Sequence, residues 1–242
     1  MNFPKINLHI HSNYSDGKNN IKQIVEKSLE LGLEHIAITD HFSNSGKEKI
    51  ISTLNNDDKI DEYLEEISYF QNDLKENKKI LNLYKGIEMD LGSSERFIKK
   101  HIHAYKFDLI LFEYLEAPDS LAFINTIIQY WKRSRLTDRN FPLLGLAHFD
   151  PSLFGQHGLD MLIQFLKKYE IYFEFNSKYP EFYSRQNELF FEKIKEYNVP
   201  VAIGCDSHDL LRLNDVEEPL EMMEYYELKN NFNLFLEKLK KH

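Results

Sequence analysis

The chain is expected to fold as an α/β protein, a distorted TIM-like (β/α)7 barrel in one domain spanning 1–242. Three observations lead there. Seven apolar stretches of strand length alternate with stretches of helical spacing, and repeated strand–helix alternation means parallel strands joined by right-handed crossovers. Nearly every strand runs out on a histidine, aspartate or glutamate, which packing alone does not require. An open sheet binds at one crevice fed by a few strands, whereas a closed barrel brings all its strand ends to one face. Candidate ligands on five or more strands therefore favour closure.

The first strand is Ile6 to His11, followed by Asp16 and Gly17. Ile21, Ile24, Val25, Leu29 and Leu31 then recur at steps of three and four, and Gly32 stops that helix. The second strand, Ile36 to His41, ends on Thr39, Asp40 and His41. Residues 59–75 repeat the helical spacing at Ile60, Leu64, Ile67, Phe70 and Leu74, with Asp57 or Asp58 as the cap. The third strand runs from Ile80 to Glu88, and a short helix from Glu95 to His101 leads to the fourth, Phe107 to Glu113. Pro118 opens a helix reaching Arg135. The fifth strand, Leu143 to His148, precedes a helix over 159–168. The sixth is Ile171 to Asn176, residues 181–197 are helical, and the seventh is Val201 to His208. Helical patterns over 220–226 and 228–240 follow. No linker rich in Pro, Gly or Ser and no internal repeat divides the chain.

Composition narrows the function. Hydrophobic residues at 42% and aromatics at 14% suffice for a sizeable core. A formal net charge of -9 argues against coating nucleic acid, because non-specific binding to phosphate backbones rests on clustered Lys and Arg. A small phosphorylated substrate is still compatible, since bound cations reverse the local field. Cys205 is the only cysteine, so no internal disulfide is possible; with no apolar stretch of signal or membrane-spanning length, a cytoplasmic protein is expected.

His9 and His11 lie two apart on a strand and point to the same face, so both imidazoles reach one point. Such a pair alone is weak. Here Ser12, Asp16 with Gly17, and the triplet Thr39, Asp40, His41 follow it. Gly86-Ile87-Glu88, His148 with Asp150 and Pro151, and Asp206-Ser207-His208 come after in order. Together these motifs, over residues 6–208, resemble the PHP family, named for the domain shared by polymerases and histidinol phosphatases. The resemblance implies two or three divalent ions. One would take His9, His11, Glu88 and Asp206. A second would share Glu88 and take His148 and a further histidine; a third would take Asp16, His41 and His208. Mixed imidazole and carboxylate sets suit Zn, Mn or Fe.

One departure from the family pattern stands at the fourth strand, where Leu115 occupies the place of a metal-binding histidine. Glu113, two residues earlier, is the candidate oxygen ligand in its stead; without it the second site is incomplete and two ions suffice. Asp40 is expected to orient an imidazole from behind. Glu174 and Asn176 alternate on the sixth strand, where they line the barrel mouth and touch substrate or water. His157, in a loop with Gly155 and Gly158, is a candidate to reach over the active face. The basic run Lys132, Arg133, Arg135 and Arg139 either complements a helix dipole or lends Arg135 to a substrate phosphate. His35, His101 and His103 read as surface or capping groups, and Cys205 as a buried small residue.

The resemblance implies a metal-dependent phosphoesterase acting on a small phosphomonoester, histidinol phosphate among the candidates, by metal-activated hydroxide. His148, His208 and Asp206 are the candidates for proton transfer. A phosphodiesterase acting on nucleotides or short oligonucleotides is the alternative. Two other readings fit less well. An RNA-binding scaffold, like a protein subunit of ribonuclease P, is opposed by the negative charge and the retained ligands. An amidohydrolase is opposed by the lack of a lysine ending the fourth strand.

Overall fold

The computed structural model describes residues 3–134 and 141–242. Among them, eight strands form one sheet: β1 (Ile6–Ile10), β2 (His35–Ile38), β3 (His41–Phe42), β4 (Asn82–Asp90), β5 (Leu109–Glu113), β6 (Leu143–Leu146), β7 (Tyr172–Asn176) and β8 (Val201–Gly204). All pairings are parallel, in the order β1-β2-β4-β5-β6-β7-β8, with the two-residue β3 on β4. The ring is completed between β1 and β8 by one parallel bridge, Ile10 with Ser207. The His11 amide donates to the Ser207 carbonyl (2.9 Å) and the Ser207 amide to that of His9 (3.1 Å). The side chain of Asn7 extends the seam, accepting from the Cys205 amide (3.0 Å) and donating to the Leu213 carbonyl (2.9 Å). The molecule is thus a nearly closed, distorted TIM-like barrel with seven strands around the ring.

Alternation along the strands sorts the two faces of the sheet. On β7, Phe173 and Phe175 pack outward on Phe190 and Phe191, while Glu174 and Asn176 turn inward. On β5, Phe112 stacks on Trp131 outside, and Glu113 faces in. The apolar core therefore lies between sheet and helices, where each fully buried large side chain contributes about 1.5–3 kcal/mol. The upper interior of the ring is left to polar groups.

Helices α1 (Ile21–Leu31), α2 (Asp57–Glu76), α3 (Glu95–His101), α4 (Pro118–Arg133), α5 (Gly155–Tyr169), α6 (Glu188–Glu196), α7 (Glu217–Tyr225) and α8 (Lys229–Leu239) surround it. Asn20 opens α1 in a reciprocal cap with Gln23, and Gly32 ends it in the left-handed region at φ 68°. The cap of α2 is Asn56, whose side chain accepts from the Lys59 amide, rather than Asp57 or Asp58, which form its first turn. Residues 155–158, expected as a loop, form the first turn of α5: Gly155, at φ 56°, ends a short 3-10 turn (Pro151–Phe154) and starts the helix directly. Of residues 181–197, only Glu188–Glu196 is α-helical.

The second predicted strand is broken at Thr39 and Asp40. A Cβ on Gly86 would stand 2.6 Å from the Ile38 carbonyl oxygen, so the two strands approach closely here, and pairing resumes beyond the break where the Glu88 amide donates to the Asp40 carbonyl (3.1 Å). The buried Tyr63 hydroxyl, 2.7 Å from the Ile38 carbonyl and 2.9 Å from that of Gly86, satisfies the groups this break sets free. Among the described residues no helix is long and apolar enough to cross a membrane.

Candidate metal centre

The strand ends converge at the upper rim. β1 delivers His9 and His11, fully buried, with Nε2 atoms 3.0 Å apart. His9 Nδ1 lies 2.8 Å from Glu174 Oε1, which fixes the ring and turns Nε2 to the centre. Around that nitrogen stand Glu88 Oε1 at 3.3 Å and Asp206 Oδ1 at 3.7 Å. His11 Nε2 is 3.0 Å from Asp206 Oδ1 and 3.5 Å from Glu88 Oε2. β1, β4 and the segment that follows β8 thus aim four donors at one point.

A second group adjoins it. Asp16 Oδ1 is 3.6 Å from His41 Nε2 and 3.8 Å from His11 Nδ1, and its Oδ2 is 3.2 Å from His208 Nε2. The loop carrying Asp16 is held by Asp40. Ser12 donates to Asp40 through its amide (2.8 Å) and hydroxyl (2.6 Å), Ser15 through its amide (3.1 Å) and hydroxyl (2.5 Å). Asp40 therefore shapes the backbone beneath Asp16, and it meets an imidazole only through the Ser15 hydroxyl, which lies 3.5 Å from His11 Nδ1. Gly17 belongs to the same turn: any Cβ there would stand 2.8 Å from the Ser12 amide nitrogen. His208 Nδ1 donates to the Asp206 carbonyl (2.9 Å), leaving Nε2 for the centre.

Glu88 lies between the groups, fully buried. Its Oε1 is 3.1 Å from His148 Nε2 and its Oε2 is 2.6 Å from His41 Nδ1. Even so, Oε2 makes no geometrically regular hydrogen bond among the described residues. Glu113 Oε1 stands 3.7 Å from His148 Nε2, and Oε2 is 3.7 Å from His41 Nδ1. Three residues at these strand ends hold positive φ: Tyr114 (65°), His148 (31°) and Asp206 (44°). Each conformation costs a non-glycine residue about 1–2 kcal/mol and is retained where it aims a side chain.

The electrostatics are those of a site short of cations. Burial disfavours charge on Glu88, yet His41 and His9 outweigh it and hold the carboxyl well below its usual range. Burial likewise opposes charge on Asp206 and Asp16, but His11 and His208 respectively depress both. Burial lowers His9, and Glu174 with Glu88 more than reverses this, raising it well above the usual range. His11, buried beside His41, is pushed down to about 3. His41 and His148 are raised by Glu88, and His208 by Asp16, each against burial. Burial and the Glu88 charge raise Glu113.

Three overlapping sets have donor atoms within 4.8 Å of one another: His11, Asp16, His41 and His208; His9, His11 and Asp206; His41, Glu88 and Glu113. Imidazoles facing buried carboxylates, with an orphaned Glu88 oxygen among them, fit divalent cations of the Zn, Mn or Fe kind. Two lysines enter the same rim, neither foreseen from spacing. Lys178 Nζ is 2.7 Å from Asp206 Oδ2, and Lys47 Nζ is 2.6 Å from Glu113.

Other expected residues lie elsewhere. Glu174 and Asn176 are buried beneath the donors, not at the mouth. Glu174 Oε2 accepts from the His148 amide (2.7 Å) and from Asn176 Nδ2 (2.9 Å), so it braces two candidate ligands from below. The backbone of His157 lies in α5, its side chain outside the described residues, as are Arg135 and Arg139. His35 pairs with the Tyr84 hydroxyl (3.0 Å) and His101 with Asp57 (2.8 Å), both away from the rim. Cys205 is buried, and burial pushes its thiol up to about 12.

A parallel barrel carrying clustered imidazoles and carboxylates at its C-terminal strand ends belongs to the class of barrels built around a metal-binding rim. Comparison with known proteins gives the family. The PHP domain model matches residues 7–235, and the chain belongs to that family. It is 25% identical over 217 residues to a probable histidinol-phosphatase of Thermotoga maritima, covering 84% of each chain. It is also 25% identical over 218 residues to the DNA polymerase/3'-5' exonuclease PolX of Bacillus subtilis, spanning 88% of this chain but only 36% of that protein. Among solved structures, the histidinol phosphate phosphatase of Lactococcus lactis, complexed with zinc, L-histidinol and phosphate, superposes with TM-score 0.62 at 18% identity (92% and 93% coverage). YwqE of Bacillus subtilis and CpsB of Streptococcus pneumoniae, described as metal-dependent tyrosine phosphatases, give 0.60 at 14% identity (96% and 92%). These structural likenesses bear on the fold.

Proposed function

We propose that the chain is a metal-dependent phosphomonoesterase acting on a small phosphorylated molecule. The observation that carries this reading is the buried Glu88 carboxylate, set between donor groups from five strand ends with one oxygen unpaired. His9, His11, Glu88 and Asp206 would hold one ion, and Asp16, His41 and His208 another. Glu88, Glu113 and His148 frame a further cation position between them. When bound, such ions lower the pKa of water and neutralise charge on phosphoryl oxygens. The relatives' descriptions support the class: a zinc- and phosphate-binding histidinol phosphate phosphatase and metal-dependent tyrosine phosphatases share the fold.

The protein's own residues do the rest. Glu174 holds His9 and the His148 backbone in place. His148, with its side chain 14% exposed and outside both ion sets, can pass a proton to the leaving oxygen, whereas His208 presents Nε2 to the second ion set. Asp206 orients His208 through its carbonyl. Lys178, over the outer edge of Asp206, is placed to meet a phosphate oxygen. Beside His148, a cavity of about 300 Å³ is walled by Tyr114, Leu115, Phe149, Tyr179 and Phe182, with Glu116 and Asp150 on its lining. Its size suits a small organic leaving group and its acidic side chains disfavour a polyanion. We extend this reading to a cytoplasmic location, supported by a lone, buried cysteine.

The relationship to PolX favours a second reading, cleavage of a phosphodiester in a nucleotide or short oligonucleotide. Hydrolysis of p-nitrophenyl phosphate, histidinol phosphate, bis-p-nitrophenyl phosphate and a short oligodeoxynucleotide, with and without chelator, separates the two. The expected result is chelator-sensitive turnover of the monoesters that is lost in the His9→Ala, Asp206→Ala double variant. Turnover of the diesters alone would replace the first reading with the second. Activity retained in the double variant would overturn the site.

A further inference from the structure

The rim contains a cation that the protein supplies itself. Lys47 Nζ lies 2.6 Å from both oxygens of Glu113 and 3.1 Å from His41 Nδ1. His41, Glu88 and Glu113 form the donor set whose single imidazole, His41, is shared with another set. A divalent ion there would stand about 2.0–2.2 Å from a carboxylate oxygen and about as near an imidazole nitrogen. An ammonium lying symmetrically against both Glu113 oxygens fills that space, and like charge excludes the ion as firmly as volume does.

Lys47 is placed there by more than a flexible stem. It belongs to the 3-10 turn Gly46–Lys49, whose cap is Ser45: the Ser45 hydroxyl accepts from the Lys47 amide (3.2 Å). That hydroxyl and the Ser43 hydroxyl both donate to Asp90 Oδ2 (2.5 and 2.7 Å), and Asp90 Oδ1 accepts from the Gly92 amide (2.6 Å). Asp90 is the last residue of β4, two positions beyond Glu88, so the strand that carries the central carboxylate also fixes the turn that carries the lysine. Above, the ammonium lies 5.2 Å from the ring centre of Tyr114, which follows Glu113 in the left-handed region. Its side chain is only 16% exposed. Leu115, buried at 3%, offers no donor that would compete for an ion at this position.

We infer that Lys47 takes the place of one metal ion, so that the rim holds two divalent ions and one tethered ammonium. This rests on the metal-centre reading above. The ammonium neutralises Glu113 and leaves Glu88 to the flanking ion sets.

Metal content decides it. Wild type, Lys47→Ala, Lys47→Arg and the His9→Ala, Asp206→Ala double variant are loaded with zinc or manganese, desalted extensively and assayed by elemental analysis, with circular dichroism to confirm folding. Two ions in wild type and Lys47→Arg, and three in Lys47→Ala, are expected. Adding Glu113→Gln should return the Lys47→Ala count to two and leave that of the wild type unchanged, a readout that loss of folding cannot imitate. Three ions in wild type, or two in both wild type and Lys47→Ala, would overturn the assignment of Lys47 while the metal centre stands. No retained ion in wild type would overturn the metal centre itself.

Discussion

Replacing Glu174 by glutamine changes one atom far below the substrate face, and should cost the centre much of its metal affinity. Each carboxylate oxygen receives donors: Oε1 from His9 Nδ1 (2.8 Å), Oε2 from the His148 amide (2.7 Å) and Asn176 Nδ2 (2.9 Å). A glutamine has one acceptor oxygen and one amide nitrogen that only donates. If its nitrogen faces His9, the imidazole must move its proton to Nε2, and the lone pair aimed at Glu88 and Asp206 is lost. If it faces the other way, two donors oppose it under His148. Either arrangement gives up a hydrogen bond to a charged group, worth about 1.5–3 kcal/mol. At 1.4 kcal/mol per factor of ten, ion binding should weaken by about 10–100-fold, the range found when a ligand's supporting partner is removed. Competition with a chromophoric zinc chelator measures it, with a thermal melt of each protein alongside. An affinity within about twofold of wild type in a well-folded Glu174→Gln would show that Glu174 does not set the tautomer of His9.

Gly204→Ala tests the same brace from the other side. Its Cβ would collide with the Glu174 carboxylate and stand 2.7 Å from His9 Cβ, so the variant should lose about 1–3 kcal/mol of stability and bind metal more weakly; unchanged denaturant midpoint and affinity would refute the contact. The pH dependence follows from the raised imidazoles. His9, His41, His148 and His208 hold protons above the ordinary 6.5 in the ion-free centre. A raised pKa favours the protonated state below it, so metal must displace protons, and affinity should fall as pH drops through and already above 6.5. Titration calorimetry in buffers of different ionisation enthalpy should show proton release on zinc uptake; pH-independent affinity from about pH 6 to 8 would contradict it.

Much of the rim was legible because strand alternation is strict. His9 and His11 had to share a face, and motifs ending five strands had to meet if those strands closed into a ring. Gly32 and the helix Glu95–His101 fell where local chemistry put them. What escaped was set by partners distant in sequence. The break at Thr39 and Asp40 lies where the chain passes close to Gly86 of β4, and nothing in Ile36 to His41 announces it. Glu174 and Asn176 were placed on the correct strand face, but how deep they sit depends on the His148 backbone above them. Lys47 and Lys178 come from turns on long stems, which carry no spacing signature. Asp40 was expected to orient an imidazole, but its direct partners are the serines of the preceding turn, which the spacing of Thr39, Asp40 and His41 does not announce.

The seam between β1 and β8 bears on how the protein is made. Asn7 and Ser207, which hydrogen-bond across it, are separated by 200 residues. At synthesis rates of about 5–20 residues per second, the first strand waits about 10–40 s for its neighbour to leave the ribosome. Through that interval β1 has one unpaired edge, open to the wrong partner. His9 and His11 stand on one bank of the seam, Asp206 and His208 on the other, so the rim cannot exist until the last strand arrives. Metal acquisition is therefore a late event, and a chain truncated before Asp206 would lose one ligand from each of the two ion sets and leave the barrel open.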